Sequence, residues 1–198
     1  MAWRPWHDVA VEPQPRRGKL FVTVGLPASG KTTRAEELAA EFAAVRLTPD
    51  DWMIPLFNHN DAGGKRDVLE GRFIWLAMRA LEHGINVVLD FGVWARDERS
   101  ALKHLALKVG AECELVYMSI DADEQMGRVK ARFSSAPDTT FLMTDGDLAQ
   151  WRDQFQEPDE EELVSPEPGP LPDGFASWEA WAGRRWPTSL GPPLGSAE

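Results

Sequence analysis

The loop GLPASGKTT at residues 25–33 constrains the fold of this chain more than any other feature. It contains the complete pattern G-x-x-x-x-G-K-[ST], between an apolar run at 19–24 that predicts a buried strand and a helix predicted over 31–42. Gly25 and Gly30 permit backbone angles that turn consecutive N–H groups toward an anion. The positive end of the following helix dipole adds to this attraction, so the pattern predicts a phosphate-binding loop between a strand and a helix.

The side chains of this loop indicate which phosphate compound it binds. The Lys31 ammonium suits the β- and γ-phosphates of a nucleoside triphosphate, and the Thr32 hydroxyl is a hard oxygen ligand suited to Mg²⁺. We therefore expect ATP with magnesium as the bound nucleotide. The residues predicted to contact it are Gly25, Leu26, Pro27, Ala28, Ser29, Gly30, Lys31, Thr32 and Thr33.

The chain from 19 to 155 alternates between short apolar runs and helical patterns. Strands are predicted at 19–24, 44–47, 85–90 and 113–120, and helices at 31–42, 66–83, 95–109, 121–133 and 144–155. The buried face predicted for the helix over 66–83 consists of Leu69, Phe73, Leu76 and Ala80. Continuous apolar strands such as INVVLD are typical of parallel sheets. The alternation predicts an α/β P-loop NTPase fold of three layers, with a parallel sheet and helices on both faces.

Composition divides the chain into three parts. Residues 1–18 are expected to form an extended N-terminal arm, and residues 19–162 are expected to form one domain. The acidic, proline-rich stretch after 157 is interpreted as a linker or a chain draped over the surface. The tail 163–198 is too short to bury a core of its own, so we expect Trp178 and Trp181 to pack onto the domain, with partner binding as the alternative.

Charge and hydropathy exclude several settings and partners. Hydrophobic residues make up 43% of the chain, which is enough for a packed core. No apolar run approaches the ~20 residues of a membrane helix, and the N-terminus lacks the apolar core of a signal peptide, so a cytoplasmic protein without membrane contact is expected. The net charge of −11 repels the phosphates of nucleic acid, which makes a nucleic-acid partner unfavourable. Cys113 is the only cysteine, so no internal disulfide can form.

Three carboxylates follow predicted strands, where ligands of doubly wound sheets bind. Asp50 and Asp51 come after the second strand, in LTPDDW, and Asp90 ends the third strand. Asp50 could take the proton of an attacking hydroxyl, or it could cap a helix that begins near Trp52, and the two roles can coexist. Asp90 stands where a Walker B carboxylate reaches Mg²⁺ directly or through water, and the alternative for it is a turn cap.

Two pairs of arginines are further candidates. Arg128 and Arg132 are four residues apart and share a helix face, just before a polar segment at 134–143 that is interpreted as a mobile loop. They could clamp a transferring phosphoryl group or pair with surface carboxylates. Arg96 could contact substrate or be solvated, whereas Arg99 is interpreted as a solvated helix charge.

Four segments together resemble a known family. GLPASGKTT, LTPDDW, NVVLDFGVWARDER and DADEQMGRVKARF, in this order and spacing, resemble the small P-loop kinases over about 19–162. They are similar to polynucleotide 5′-hydroxyl kinases, chloramphenicol phosphotransferase, the zeta-toxin group and bacterial AAA-type ATP-binding proteins. The resemblance implies a sheet of order 2-3-1-4, often with a fifth strand, for which 163–165 is the only candidate. It also implies that Asp50 is the base and that Arg128 or Arg132 belongs to a lid.

The expected function is transfer of the γ-phosphate of ATP to a hydroxyl of a small molecule, with an antibiotic among the candidate acceptors. The residues assigned to it are Lys31, Asp50, Arg128 and Arg132 for catalysis, Asp51, Asp90, Trp94 and Arg96 for the acceptor, and Thr32 and Asp90 for the metal. The alternative acceptor is a polynucleotide 5′-hydroxyl. It is the runner-up because the run FGVW at 91–94 is apolar where polynucleotide kinases carry polar residues. The alternative of another class is a nucleotide-binding switch or partner-binding module, which the tryptophan-rich tail would suit.

Overall fold

A parallel sheet of four strands lies at the centre of the fold. The computed structural model describes residues 17–59, 62–135 and 143–191. Its strands are β1 (Lys19–Val24), β2 (Val45–Leu47), β3 (Val87–Leu89) and β4 (Glu112–Tyr117), in the order β2-β3-β1-β4. All neighbouring strands are parallel, with Leu20 of β1 opposite both Val87 and Cys113. The predicted 2-3-1-4 order is therefore confirmed.

Helices follow the strands in alternation, as the sequence pattern predicts. They are α1 (Lys31–Glu41), α2 (Asp50–Phe57), α3 (Lys65–Glu82), α4 (Arg96–Lys108), α5 (Ala122–Ser135), α6 (Asp145–Gln154), α7 (Glu160–Val164) and α8 (Trp178–Arg185). The start of α6 is set by Thr144, whose hydroxyl accepts from the backbone N–H of Asp147 while that aspartate accepts in return.

Both faces of the sheet are buried at its two central strands, β1 and β3, which explains why these strands are largely apolar. Alternate residues of β1, Leu20 and Val22, belong to a large core shared with α3, α4 and α8. The residue between them, Phe21, packs on the opposite face against Ala35 and Leu38 of α1. The buried face of α3 is rotated from the predicted one. It consists of Phe73, Ile74, Ala77 and Leu81, whereas Leu76 is 45% exposed.

The region after residue 157 differs from the interpretation as a linker. Helix α7 lies there, with the Asp159 side chain accepting from Glu162 N at its start. Residues 163–165 lie at the end of this helix and are not a fifth strand, and the described residues form a sheet of four strands. Further on, Trp178 is 5% exposed in the main core, and Trp181 packs against that core.

The interpretation of Arg99 as a solvated charge is also wrong. Its side chain is 0% exposed and forms two hydrogen bonds to Glu162, from Nε at 2.5 Å and from Nη2 at 2.9 Å. The partner lies 63 residues further along the chain, so the pattern of the helix itself does not reveal it.

Part of the expected organisation lies outside the described residues. This applies to the expected arm, except for residues 17 and 18, and to positions 136–142 of the expected loop, because α5 continues to Ser135. The division into arm, domain and tail stays a prediction. Among the helices of the described part, none is long and apolar enough to cross a membrane.

Candidate functional site

The loop between β1 and α1 has the backbone geometry that an anion requires. Gly30 precedes α1 with φ 96°, and Ala28 also lies in the left-handed region with φ 65°. A side chain at Gly25 is excluded, because its Cβ would lie 2.5 Å from the carbonyl oxygen of Met118. These positions open the N-terminus of α1 to a ligand, with its unpaired N–H groups and dipole.

Two polar groups of this loop lack the partner that a phosphate would supply. Within residues 17–59, 62–135 and 143–191, the Ser29 hydroxyl oxygen is buried without a hydrogen-bond partner, and Lys31 Nζ donates to the carbonyl oxygen of Leu26, at 2.7 Å. Burial lowers the pKa of Lys31 to about 8, against the opposing effects of Asp90 and Asp50. The residues present therefore fit a bound triphosphate, which would satisfy both groups.

One cavity of about 900 Å³ connects this loop to the other candidate residues. Its volume is in the range of small-molecule sites, about 300–1,000 Å³. The predicted site residues that line it are Pro27, Ala28, Gly30, Lys31, Thr32, Thr33, Asp50, Asp90, Trp94, Arg128 and Arg132. Their functional roles stay predictions, but the fold brings them to one place at the carboxyl ends of the strands.

Asp50 is the first residue of α2, which follows β2. Its side chain is 74% exposed and lines the cavity, so it remains accessible to a ligand. Arg66 Nη1 donates to its Oδ1 at 2.9 Å. Because the helix begins at Asp50 itself and Pro49 precedes it, Asp50 supports the helix through its charge in the first turn rather than as the capping residue.

Asp90 follows β3 and is 7% exposed on the cavity wall. Thr23 Oγ1 donates to its Oδ1 at 3.0 Å, and Arg46 donates to its Oδ2 from Nε at 3.1 Å and from Nη2 at 2.9 Å. These three donors leave acceptor capacity on the Asp90 carboxylate, chiefly at Oδ1. Thr32 lines the same cavity, so its hydroxyl and the Asp90 carboxylate both stay candidates for Mg²⁺, with Asp90 acting directly or through water.

In the described part of the chain, no group of three His, Cys, Asp or Glu side chains could hold a metal ion.

The arginine pair of α5 faces the phosphate loop. Arg128 Nη1 donates to the carbonyl oxygen of Ala28 at 3.1 Å, and its Nη2 donates to Glu124 at 2.6 Å. Arg132 lines the same cavity. Arg128 therefore pairs with a carboxylate of its own helix and also contacts the phosphate loop, whereas its role as a clamp on the phosphoryl group stays a prediction.

Of three residues assigned to the acceptor, one lines the cavity and two do not. Trp94 lines the cavity, with its ring centroid 6.1 Å from that of Trp151. Asp51 is instead paired with Arg46 at 3.1 Å, and Arg96 with Asp159 at 3.2 Å. Neither Asp51 nor Arg96 lies among the lining residues, so the fold does not bring them to the cavity.

The far wall of the cavity contains residues that sequence reasoning missed. They are Arg66 and Glu70 of α3, Glu98 of α4, and Arg185 and Trp186 at the end of α8. Arg66 and Glu70 are four residues apart, so their shared helix face was detectable. The contribution of α8 had no such signal, because it comes from a segment more than a hundred residues away in sequence.

Burial raises the pKa of Glu70 to about 7. The positive charges of Arg66 and Arg185 oppose this rise, and the negative charges of Asp67 and Glu98 add to it. A buried carboxylate that titrates near neutral pH on a cavity wall is typical of functional sites, and structural ion-pair networks produce the same effect.

Comparison with known proteins gives a family and a fold. A family model described as an AAA domain matches residues 20–158, which is more than half of the chain. Among curated proteins, none matches. One similar solved chain belongs to the Pnkp1/Rnl/Hen1 RNA repair complex, with TM-score 0.60 and 19% identity, covering 74% of this chain and 46% of that chain.

Two other similar structures align with this chain over most of their own length. Kti12 from Chaetomium thermophilum in complex with ADP-AlF3 has TM-score 0.57 and 17% identity, covering 71% of this chain and 81% of that chain. A gluconokinase from Sinorhizobium meliloti 1021 has TM-score 0.51 and 18% identity, covering 76% of this chain and 81% of that chain. At such identities the likeness shows the fold alone, and this chain spans less than half the length of the RNA repair chain.

Proposed function

This chain belongs to the AAA domain family and has the fold of P-loop kinases, and from this we propose that it transfers the γ-phosphate of ATP to a hydroxyl of a small molecule. We place the reaction in the cytoplasm, where ATP and magnesium are available. The observation that carries the proposal is the cavity that joins the phosphate loop to the accessible carboxylate of Asp50.

The chain's residues would hold the nucleotide at one end of this cavity. The backbone N–H groups of the loop, the Ser29 hydroxyl and Lys31 would bind the phosphates. Thr32 would hold Mg²⁺, which supplies charge stabilisation to the β- and γ-phosphates. Arg128, already in contact with the loop, and Arg132 would face the transferring group and offset its growing negative charge.

Asp50 would act on the acceptor at the other end. The acceptor oxygen forms a bond to the γ-phosphorus, while the bond from that phosphorus to the bridging β-oxygen breaks and its electron pair leaves with ADP. The hydroxyl proton passes to a carboxylate oxygen of Asp50. Since Arg66 occupies Oδ1, the second oxygen is the one placed to accept this proton.

The walls between these ends support a small molecule as the acceptor. Phe91, Val93 and Trp94 are apolar and line the cavity. The arginines near Asp50 are paired with carboxylates, Arg66 with Asp50 and Glu70, and Arg185 with Glu98 and Asp67, so they leave little positive charge for a polynucleotide. An acceptor with an apolar ring and a free hydroxyl fits these walls best.

The proposal is tested by a transfer screen with the purified protein, [γ-³²P]ATP, magnesium and pooled hydroxyl-bearing metabolites and antibiotics. Asp50→Asn should lower transfer about 10²–10⁴-fold and keep ATP binding, because only proton acceptance is lost. Asp145→Asn is the matched control, since Asp145 also begins a helix and pairs with a basic side chain, Lys130 at 3.6 Å, away from the cavity.

The alternatives predict different outcomes of the same screen. Labelling of an oligonucleotide 5′-end, and of no small molecule, would favour the polynucleotide kinase. A protein that binds ATP and transfers phosphate to no acceptor, with Asp50→Asn indistinguishable from wild type, would favour the nucleotide-binding switch.

A further inference from the structure

The C-terminal segment 159–191 lies beyond the residues that the family model matches, and its last part runs along α3. Trp186, which directly follows α8, is 1% exposed in the core. A Cβ on Gly71 would lie 2.1 Å from the carbonyl oxygen of Pro187, so the backbone of this segment is in direct contact with α3. The segment is therefore held next to the first turns of α3, where Arg66 and Glu70 lie.

Two side chains of this segment reach the cavity wall. Arg185 donates from Nε to Glu98 and from Nη1 to Asp67, both at 2.7 Å, and so joins α8 to α4 and α3. The indole Nε1 of Trp186 donates to Glu70 Oε2 at 3.2 Å. These contacts place the polar atoms of a C-terminal helix in the wall of a cavity that begins at the phosphate loop.

Direct contacts continue from Trp186 to the proposed base. The other oxygen of Glu70 accepts from Arg66 Nε at 3.1 Å, and Arg66 Nη1 donates to Asp50 Oδ1 at 2.9 Å. Glu70 is 7% exposed, so its hydrogen-bond partners are fixed by the protein rather than exchanged with water. Glu70 therefore orients Arg66, and Arg66 orients the exposed Asp50.

We propose that Trp186 is a positioning residue for the Asp50 carboxylate, and that the C-terminal segment contributes Arg185 and Trp186 to the acceptor-side wall of the cavity. The indole N–H holds Glu70, Glu70 holds Arg66, and Arg66 holds one oxygen of Asp50 so that the other faces the acceptor. The role of Asp50 in this chain of contacts rests on the proposed kinase function, whereas the coupling between Trp186 and Glu70 does not.

The charge of Glu70 makes the coupling measurable. The groups that face it are Arg66 and Asp67 on α3, Glu98 on α4 and Arg185 on α8, and burial holds its pKa at about 7. A hydrogen bond donated to a carboxylate favours the ionised form. Loss of the indole N–H should therefore raise the pKa of Glu70 and weaken its charge interaction with Arg66 at neutral pH.

The first experiment compares Trp186→Phe with Trp178→Phe in the full chain. Both tryptophans are buried in the same core, but Trp178 does not line the cavity. The carboxyl titration of Glu70 is followed by ¹³C NMR and assigned with Glu70→Gln. We expect the midpoint to rise by about one pH unit in Trp186→Phe and to stay in place in Trp178→Phe. Identical midpoints in wild type and Trp186→Phe would overturn the proposal.

The second experiment asks whether the coupling reaches Asp50. Release of ³²P-phosphate from [γ-³²P]ATP, with water in the place of the acceptor, is measured across the pH range of the Glu70 titration. The rate should rise as Glu70 ionises, and this rise should move to higher pH in Trp186→Phe by the shift seen by NMR. Fluorescent ATP analogue binding should stay within about two-fold, because Trp186 bonds to Glu70 of α3 whereas the nucleotide is held by the loop before α1. A rate profile that does not move would overturn the step from Glu70 to Asp50.

Glu70→Gln keeps the proposal testable if Trp186→Phe does not fold. It leaves the packing of Trp186 intact and removes the titrating charge, so the pH dependence of phosphate release in this range should disappear while ATP affinity is kept. Persistence of that dependence would overturn the proposal. A wild-type protein that releases no phosphate at any pH would count against the proposed kinase function. The coupling would then be tested by NMR alone, through the titration midpoint of Glu70 in Trp186→Phe or Arg66→Gln.

Discussion

Lys31 and Glu70 are charged residues of the cavity that are held away from water. Burial lowers the pKa of Lys31 to about 8 and raises the pKa of Glu70 to about 7, because the charged form loses its solvation in both cases. Each charge therefore gains from a partner of opposite sign. Glu70 has this partner in Arg66, whereas the ammonium of Lys31 donates to a carbonyl oxygen, so a bound phosphate would supply it with a charged acceptor.

Lys31→Ala should lower ATP affinity about 10–100-fold, the effect of losing a charge-assisted contact to phosphate. The fold should stay intact, since the hydrogen bond of this side chain in the described structure lies within its own loop. Titration with a fluorescent ATP analogue measures the affinity, and Lys130→Ala, on the exposed surface of α5, is the control. Unchanged affinity in Lys31→Ala would remove the basis for the phosphate site.

Glu70→Gln should change how stability depends on pH. The folded-state pKa of Glu70 is raised from 4.5 to about 7, so between these values the folded protein keeps a proton that the unfolded chain releases. The contribution of Glu70 to the free energy of unfolding of the wild type is therefore at its maximum below about pH 4.5. It is lost as the pH rises to about 7. The free energy of unfolding of Glu70→Gln, relative to that of wild type, should rise by on the order of 1–3 kcal/mol from pH 5 to pH 8, as measured by urea unfolding. A constant difference would contradict the raised pKa.

At the scale of elements, α4 and α7 are joined by buried charges. Arg99 of α4 pairs with Glu162 of α7, and Arg99 Nη1 also donates to the carbonyl oxygens of Trp94 and Gln156. Lys103, one turn further along α4, donates to the carbonyl oxygen of Glu162 at 2.5 Å. Helix α7 has five residues and could not be stable alone, so these contacts hold it in place.

Removing the carboxylate of this pair should be costly. Glu162→Ala leaves the Arg99 guanidinium buried without its counter-charge, which we expect to lower the free energy of unfolding by about 3–5 kcal/mol. Glu161→Ala is the matched control, because the neighbouring glutamate is exposed on the same helix and its loss should cost less than about 0.5 kcal/mol. Equal unfolding midpoints in urea for the two variants would contradict the assigned pairing.

At the scale of the whole molecule, the C-terminal segment completes the main core. Trp178, Ala182 and Trp186 belong to the same buried cluster as residues of β1 and β3. Truncation of a buried aromatic costs about 3–5 kcal/mol, and a domain is stable by only about 5–15 kcal/mol.

Deletion of residues 166–198, which keeps α7, should therefore leave the protein largely unfolded or aggregated at room temperature. Thermal melting followed by circular dichroism measures this outcome directly. A truncated protein with the melting temperature of the full chain would mean that the tryptophans of the segment add nothing to the stability of the core.

Local sequence patterns determined the phosphate loop, the parallel sheet and the position of most helices. The loop at 25–33, the apolar strand before it and the cap at Thr144 each depend on residues that are close together in the chain. Spacing alone sets such features, because backbone angles, helical periodicity and capping act over a few residues. Their order along the chain also indicated the 2-3-1-4 sheet, through resemblance to a known family.

Only the tertiary structure decided which charges meet and what forms the acceptor end of the cavity. Arg99 pairs with a residue 63 positions away, and Trp186 bonds to Glu70 over 116 positions. The pattern of one helix cannot identify such partners, because they depend on how helices pack on the sheet and on the burial that the whole core supplies. Arg66, Glu70 and Trp186 form one wall for this reason, and no local spacing in the sequence records it.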